Sequence, residues 1–121
     1  MCDPRDVGDA AAVVLQKPSA QNTAYDLTGP AALTFPEVAA HFTGILGRPI
    51  SYVPVDEATL RKGYATRGMP DWLTDIVLGL DAAMQAGAHA RTSDAFQKLT
   101  GKAPRSVDDF IRDHAAAYTP R

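Results

Sequence analysis

Residues 23–55 read TAYDLTGPAALTFPEVAAHFTGILGRPISYVPV, and this stretch decides the fold. Residues 23–28 alternate between polar and apolar side chains and end at a Gly-Pro pair, which predicts a short strand followed by a turn. Residues 49–55 alternate again and predict a second strand, which Pro54 restricts to a sheet edge or a strand end. Because a helix separates the two strands, we expect a right-handed crossover and a parallel strand pair.

The segment between the two strands has the features of a helix. Thr34 can cap the backbone amide of Glu37 while the Glu37 side chain reaches back, and Pro36 occupies the first turn, where a missing N–H group does no harm. Gly47 ends the segment. The apolar positions between these ends predict one buried face, formed by Val38, Ala39, Phe42, Ile45 and Leu46.

Helical spacing of apolar residues continues on both sides of this unit. Further helices are predicted at residues 6–17, 56–67, 71–86 and 94–99, and from Ser106 onward. The helix over residues 71–86 is apolar on more than one side, so two of its faces are expected to be covered. Two strands alone make no stable sheet, so another element has to cover their edges. The predicted fold class is α/β and mainly helical, with a small parallel strand-helix-strand unit followed by a helical subdomain.

The size and composition of the chain fit one globular domain. It has 121 residues, 45% of them hydrophobic and 21% charged, and we expect residues 1–121 to fold as a single domain. The net charge is −2 without a basic stripe, so nucleic acid is not an expected partner. Cys2 is the only cysteine, which excludes an intrachain disulfide, and no metal-ligand spacing is present. Neither a signal peptide nor a membrane span is recognisable, and the expected location is the cytoplasm.

Several stretches, taken together in their order, are similar to a known family. They read RDVGDAA at residues 5–11, YDLTGPAALT at residues 25–34, LGRP at residues 46–49, GMPDWL at residues 68–73 and LTGKAPR at residues 99–105. This order resembles the C-terminal, substrate-side half of the NmrA-like proteins, which are atypical short-chain dehydrogenases/reductases that include NAD(P)H:quinone oxidoreductases.

The nucleotide-binding features of that family are missing from this sequence. The resemblance implies an N-terminal Rossmann half, whose glycine-rich turn holds the dinucleotide at a helix N-terminus. The nine glycines contain no G-x-G-x-x-G pattern, and no tyrosine is followed four residues later by lysine. We therefore expect a truncated family member with no cofactor on this chain alone, NAD(P)H being used only if a partner supplies the Rossmann half.

The turn between the third and fourth predicted helices is the best candidate for a ligand site, because this part lies on the substrate side of the resembled family. Tyr64, Arg67, Met69 and Trp72 bring two aromatic rings, a thioether and a cation to one turn, which suits an apolar pocket with a polar anchor. We predict these four as substrate-binding residues. The alternative is that Tyr64 and Trp72 fill the core between the two helices.

No catalytic residue can be assigned from the sequence. The three histidines are interpreted as structural or solvated, because none has an identifiable acid or cysteine partner. Asp108 and Asp109 suit a helix N-terminus rather than a catalytic pair, and Asp26 is expected to point to solvent. Cys2 has no base beside it, so no nucleophilic triad can be assembled.

The function is open between a binding module and an enzyme. The first hypothesis is a small-molecule-binding or subunit-docking module, which pairs as a homodimer or with another chain and takes an apolar ligand. The alternatives are a cofactor-independent enzyme of isomerase or cyclase type on an aromatic or polyketide-like substrate, and one half of a split NAD(P)H-dependent oxidoreductase. A docking module should expose a broad apolar surface, whereas a cofactor-free catalyst should enclose a titratable group with a shifted pKa.

Overall fold

The computed structural model describes residues 1–17, 19 and 22–118. These residues are mainly helical, as the sequence predicts. The chain divides into two compact units: unit 1 comprises Met1–Ser51 and Thr92–Arg121, and unit 2 comprises Tyr52–Arg91. The single domain over residues 1–121 stays a prediction. The elements are α1 (Pro4–Gln16), α2 (Phe35–Leu46), α3 (Glu57–Thr66), α4 (Asp71–Gln85), α5 (Ala95–Thr100), α6 (Val107–Asp113) and a 3-10 helix (Ala115–Tyr118).

Unit 1 is built from two helix pairs, in which α1 packs on α5 and α2 packs on α6. Its buried apolar side chains are Ala10 on α1, Phe96 on α5 and Ile111 on α6. Each comes from a helix that the apolar spacing predicts. The core of unit 1 therefore brings together residues that are far apart in the sequence.

The helix ends follow the predicted capping residues. At the start of α2, Thr34 accepts from the backbone of Glu37 and the Glu37 carboxylate accepts from the Thr34 backbone N–H, which completes a capping box. Ser106 and Asp109 form the same arrangement at the start of α6. Gly47 ends α2 with φ +66°, a left-handed conformation that favours glycine.

The predicted strand-helix-strand unit is wrong in one respect: the structure describes no strand at residues 23–28 or 49–55. Alternation of polarity reports which side chains turn inward, and it does not supply a neighbouring strand to pair with. Each segment is instead held by a hydrogen bond between a backbone N–H group and a threonine hydroxyl. Ser93 donates its backbone N–H to Thr28 Oγ1 at 2.9 Å, and Ile50 donates its own to Thr43 Oγ1 at 2.9 Å.

Two ionic clusters fasten the start of α1 within unit 1. Asp3 caps α1 and pairs with Arg5, which also reaches Asp113 at 2.6 Å. One turn later, the buried carboxylate of Asp6 pairs with the guanidinium of Arg105 and also accepts the Arg105 backbone N–H at 2.8 Å. The start of α1 is therefore tied to both ends of the segment that contains α6.

Unit 2 is a helical hairpin of α3 and α4. Asp56 caps α3 through the backbone N–H of Thr59 at 2.7 Å, as the sequence predicts. Thr74 of α4 is 2% exposed and is the buried residue of this helix. The hairpin thus has little core of its own, and much of its apolar surface remains in contact with solvent.

Candidate functional site

The α3–α4 turn, residues 64–72, contains all four predicted substrate-binding residues. The backbone N–H of Met69 bonds the carbonyl of Tyr64 at 3.1 Å, and that of Gly68 bonds the carbonyl of Ala65 at 3.0 Å. This pair of bonds is a Schellman motif, in which a left-handed glycine reverses the chain, and Gly68 has φ +77°. Tyr64 and Met69 occupy the two positions of the motif whose side chains commonly touch.

The four side chains differ in exposure. Tyr64 and Met69 are half-buried, whereas Arg67 and Trp72 are exposed. Trp72 is 65% exposed, so it does not fill a core within unit 2, and the alternative interpretation fails for this residue. The turn thus combines a half-buried apolar base with an exposed indole and an exposed guanidinium. Such a surface can receive the flat face of an aromatic molecule.

The indole belongs to a longer apolar surface, the α4 stripe, which is formed by Trp72, Ile76, Leu80 and Met84. These residues recur every four positions and therefore lie along one side of the helix. Their exposed fractions are 65%, 52%, 52% and 43%, respectively. Thr74, Val77 and Leu78 are less exposed and supply the inward side of α4. The helix thus has a second apolar face, but the described residues leave this face exposed, whereas the sequence analysis expects it to be covered.

Acidic residues stand beside the stripe. Asp71, Asp75 and Asp81 lie on α4, which has no lysine or arginine. The Asp75 carboxylate accepts from Arg61 of α3 at 2.8 Å, and Asp81 accepts from Gln85 at 3.1 Å. The surface is therefore apolar along the stripe and anionic at its sides.

The histidines fall outside the α3–α4 turn. His41 of α2 lies 2.5 Å from Asp108 of α6, both half-buried, so this pair joins two packed helices. The sequence interpretation missed the pair because 67 positions separate its members, and Asp108 suited the helix N-terminus equally well. His114 lies on the ring of Phe110 at 4.3 Å, and His89 is exposed after α4.

The sequence analysis also does not identify the interaction between Asp6 and Arg105. The buried Asp6 and its partner Arg105 are 99 positions apart in the sequence. Each belongs to one of the stretches that resemble the NmrA-like proteins, and this was the available signal that they matter. Both act in unit 1, where they hold α1 against the start of α6.

The described helices have acidic residues at their starts, which bears on where a pyrophosphate could bind. Such a group binds at a helix N-terminus whose amide groups and positive dipole end are free. Here α1, α2, α3, α4 and α6 each have an acidic residue in the first turn, and Asp94 stands at the N-cap of α5.

The described residues contain neither a cluster of metal ligands nor a membrane-spanning helix. No group of three or more histidine, cysteine, aspartate or glutamate side chains is placed to hold a metal ion. None of the helices described is both long enough and apolar enough to cross a membrane.

The chain is similar in sequence to several reductases. It is 36% identical to the NAD(P)H azoreductase of Xenophilus azovorans over 116 residues, which are 96% of this chain and 41% of the azoreductase. It is 32% identical to the agroclavine dehydrogenase of Claviceps fusiformis over 96% of this chain and 40% of that enzyme. Identity to quinone oxidoreductase 2 of Escherichia coli is 29% over 88% of this chain and 37% of that protein. The chain therefore spans about two-fifths of the length of these relatives.

Solved structures give the same picture of the fold. An NADPH-dependent quinone oxidoreductase from Escherichia coli matches with a TM-score of 0.77 and 24% identity, over 94% of this chain and 40% of that one. A nucleoside-diphosphate-sugar epimerase from Staphylococcus aureus matches with a TM-score of 0.80 and 21% identity, over 92% and 38%. No protein-family model matches the chain.

The relatives agree with the family that the sequence stretches resemble. Two of them, the azoreductase and the quinone oxidoreductase of known structure, name NAD(P)H or NADPH, and the matches extend over 96% and 94% of this chain, respectively. The comparisons therefore support the resemblance of this chain to the C-terminal part of the NmrA-like atypical short-chain dehydrogenases/reductases.

Proposed function

We propose that this chain forms the substrate-side part of an NAD(P)H-dependent reductase and has no dinucleotide site of its own. The observation that carries the proposal is the alignment of 96% of this chain with 41% of the azoreductase. The carboxylates in the first turns of the helices support the second half of the proposal, because they disfavour a bound pyrophosphate. The nucleotide would be held by a separate Rossmann-type part, in the same protein or in a partner.

The substrate we infer is a small, planar, conjugated molecule. The names of two relatives, an azoreductase and a quinone oxidoreductase, describe acceptors of this kind. At the α3–α4 turn, the exposed indole of Trp72 offers an aromatic face, and Tyr64 and Met69 offer half-buried apolar surface. Arg67 can bind a carbonyl or an anionic substituent of the ligand.

The α4 stripe fits a role in docking to the nucleotide-binding part. It carries four large apolar side chains that are at least 43% exposed. Exposed apolar surfaces of this extent mark interaction sites more often than free surface. A reductase also needs its substrate side closed against the bound nucleotide, because hydride transfer requires the two reactants in contact.

Nucleotide binding by this chain alone is the first test. We predict no saturable heat when NADH or NADPH is titrated into the 121-residue chain in a calorimeter. The control is the same titration after a Rossmann domain from a relative has been added in equal amount. A micromolar dissociation constant for the chain alone would contradict the proposal.

Ligand binding is the second test, and the chain provides its own reporter. Trp72 is the only tryptophan, so the tryptophan emission of the chain comes from the α3–α4 turn. A quinone or an azo dye bound there should quench this emission saturably, and Met69→Ala should weaken the binding. Leu15→Ala, in an exposed residue of α1, is the matched control and should leave the binding unchanged. Linear quenching that is identical in all three proteins would contradict a site at this turn.

A further inference from the structure

Unit 1 contains a cavity of about 210 Å³, the α1–α6 cavity, between the start of the chain and the start of α6. It is lined by Met1, Cys2, Asp3, Pro4, Arg105, Ser106, Val107 and Phe110. Met1 and Pro4 are exposed, whereas Asp3 is buried, so the cavity lies at the surface of unit 1 and extends inward. It belongs to a different unit from the α3–α4 turn.

The polar side chains of the lining already have partners. The carboxylate of Asp3 accepts from Arg5 at 2.7 Å, and the guanidinium of Arg105 donates to Asp6 and to Asp9. No buried polar side-chain atom of the described residues lacks a hydrogen bond. A charged or strongly polar ligand would therefore compete with bonds that these side chains already make.

The remaining walls are apolar. Val107 and Phe110 come from adjacent turns of α6, while Met1 and Pro4 come from the start of the chain. The ring of Phe110 is held in place because it stacks on His114, with 26° between the ring planes. A small apolar molecule seated against these walls would remove apolar surface from water, which is favourable.

We propose that the α1–α6 cavity is a binding site for a small, uncharged, apolar molecule about the size of one aromatic ring. The volume, the paired polar groups and the apolar walls all favour this class over an anion or a sugar. The site is independent of the proposed reductase role, since none of its residues lies in the α3–α4 turn.

Cys2 gives the site a chemical reporter. Cys2 is one of the lining residues, and burial is the main cause that raises the pKa of its thiol, so little thiolate is present at neutral pH. The thiolate is the form that alkylating reagents attack. A ligand in the cavity should shield the thiol and slow alkylation further.

The experiment uses the 121-residue chain with toluene as the probe and benzoate as its charged analogue. Near its solubility limit toluene should raise the Tm by about 5 °C and slow the alkylation of Cys2 by iodoacetamide about fivefold. Benzoate should change neither quantity. Val107→Phe places a ring in the cavity and should abolish both effects of toluene, whereas Val7→Phe adds the same volume on an exposed part of α1 and should preserve them.

The proposal is overturned if toluene changes neither the Tm nor the alkylation rate, or if benzoate acts as strongly as toluene. It is also overturned if Val107→Phe still responds to toluene. Should Val107→Phe fail to fold, the protection of Cys2 in the unaltered chain decides by itself, because it requires the cavity to be filled.

Discussion

At the scale of single residues, unit 1 depends on aspartates that meet arginines. Asp6 is 1% exposed and is satisfied by both the side chain and the backbone of Arg105. Carboxylates at the helix starts are held in a related way: a backbone hydrogen bond from Thr34 lowers the pKa of Glu37, and the hydroxyl of Ser106 lowers that of Asp109. The folded state therefore favours the ionised form of these two carboxylates.

Asp6→Asn should destabilise the chain by about 2 kcal/mol. The amide keeps an acceptor for the Arg105 backbone but loses the charge-assisted bond to the guanidinium, and such bonds contribute about 1.5–3 kcal/mol. Asp9→Asn is the control, because the Asp9 side chain is 41% exposed and its bond to Arg105 is longer, at 3.2 Å. It should change the free energy of unfolding by less than about 1 kcal/mol. Urea unfolding measures both, and equal losses would contradict the role given to Asp6.

Asp3 should make the chain sensitive to acid. Its side-chain hydrogen bonds to Arg5 are the main cause that lowers its pKa from 3.8 to about 2. A carboxylate with a lowered pKa stabilises the fold above its unfolded pKa, and this contribution disappears as the pH falls through its folded pKa. The contribution should amount to about 1–2 kcal/mol above pH 4 and vanish near pH 2.

Unfolding free energies of Asp3→Asn and of the unaltered chain between pH 2 and pH 7 check this expectation. The two proteins should converge near pH 2 and differ above pH 4. Asp94→Asn, in an exposed pair with Lys98, should show no such convergence. A difference between Asp3→Asn and the unaltered chain that stays constant across the range would show that Asp3 acts without its charge.

At the scale of elements, α2 shows how closely local sequence determines a helix. The helix begins after Thr34 and ends before Gly47, as the capping residues predict. Gly44, inside α2, and Gly47, just after it, nevertheless have different roles. Gly47 has φ +66°, whereas Gly44 lies inside the helix, and a Cβ added at either position would meet no atom within 4 Å. Only backbone conformation distinguishes the two sites.

Gly44→Ala should stabilise the chain by about 0.5–1 kcal/mol, because alanine loses less backbone entropy in a helix than glycine does. Gly47→Ala should destabilise it by about 1 kcal/mol, because an L side chain is strained in the left-handed region. Thermal unfolding followed by circular dichroism measures both changes. Shifts of the same sign in the two variants would contradict the assignment of the helix end.

The ends of helices could be predicted from the sequence, whereas contacts between distant residues could not. Helix starts and ends were predictable because Thr34 and Ser106 act on residues three positions away. Strand pairing and the bond of His41 to Asp108 were not predictable, since each depends on a partner that the fold brings from a distant position. Tyr64 and Met69 could be placed together in advance because a single turn joins them, but the exposure of Trp72 depends on the packing of α4.

At the scale of the whole molecule, we expect the α4 stripe to control association. Four large apolar side chains on one side of a helix present a surface that is unfavourable to leave in water. When no nucleotide-binding part is present, the commonest way to cover such a surface is a two-fold pair of identical chains. The α4 stripe of one chain should then be buried against the α4 stripe of a second, identical chain.

We therefore predict that the purified chain is a homodimer at micromolar concentrations and that Leu80→Glu converts it into a monomer. Leu80 is 52% exposed, so the substitution should disturb the folded monomer little, while a buried glutamate would strongly disfavour the paired stripe. Ala82→Glu is the matched control, because Ala82 lies on the opposite, exposed side of α4 beside Asp75, and this variant should remain dimeric. Light scattering after size-exclusion chromatography gives the masses, and circular dichroism shows whether each variant keeps its helices. A monomer mass for the unaltered chain at every concentration would contradict the predicted homodimer. If Leu80→Glu remained dimeric, the interface would have to lie elsewhere than on the α4 stripe.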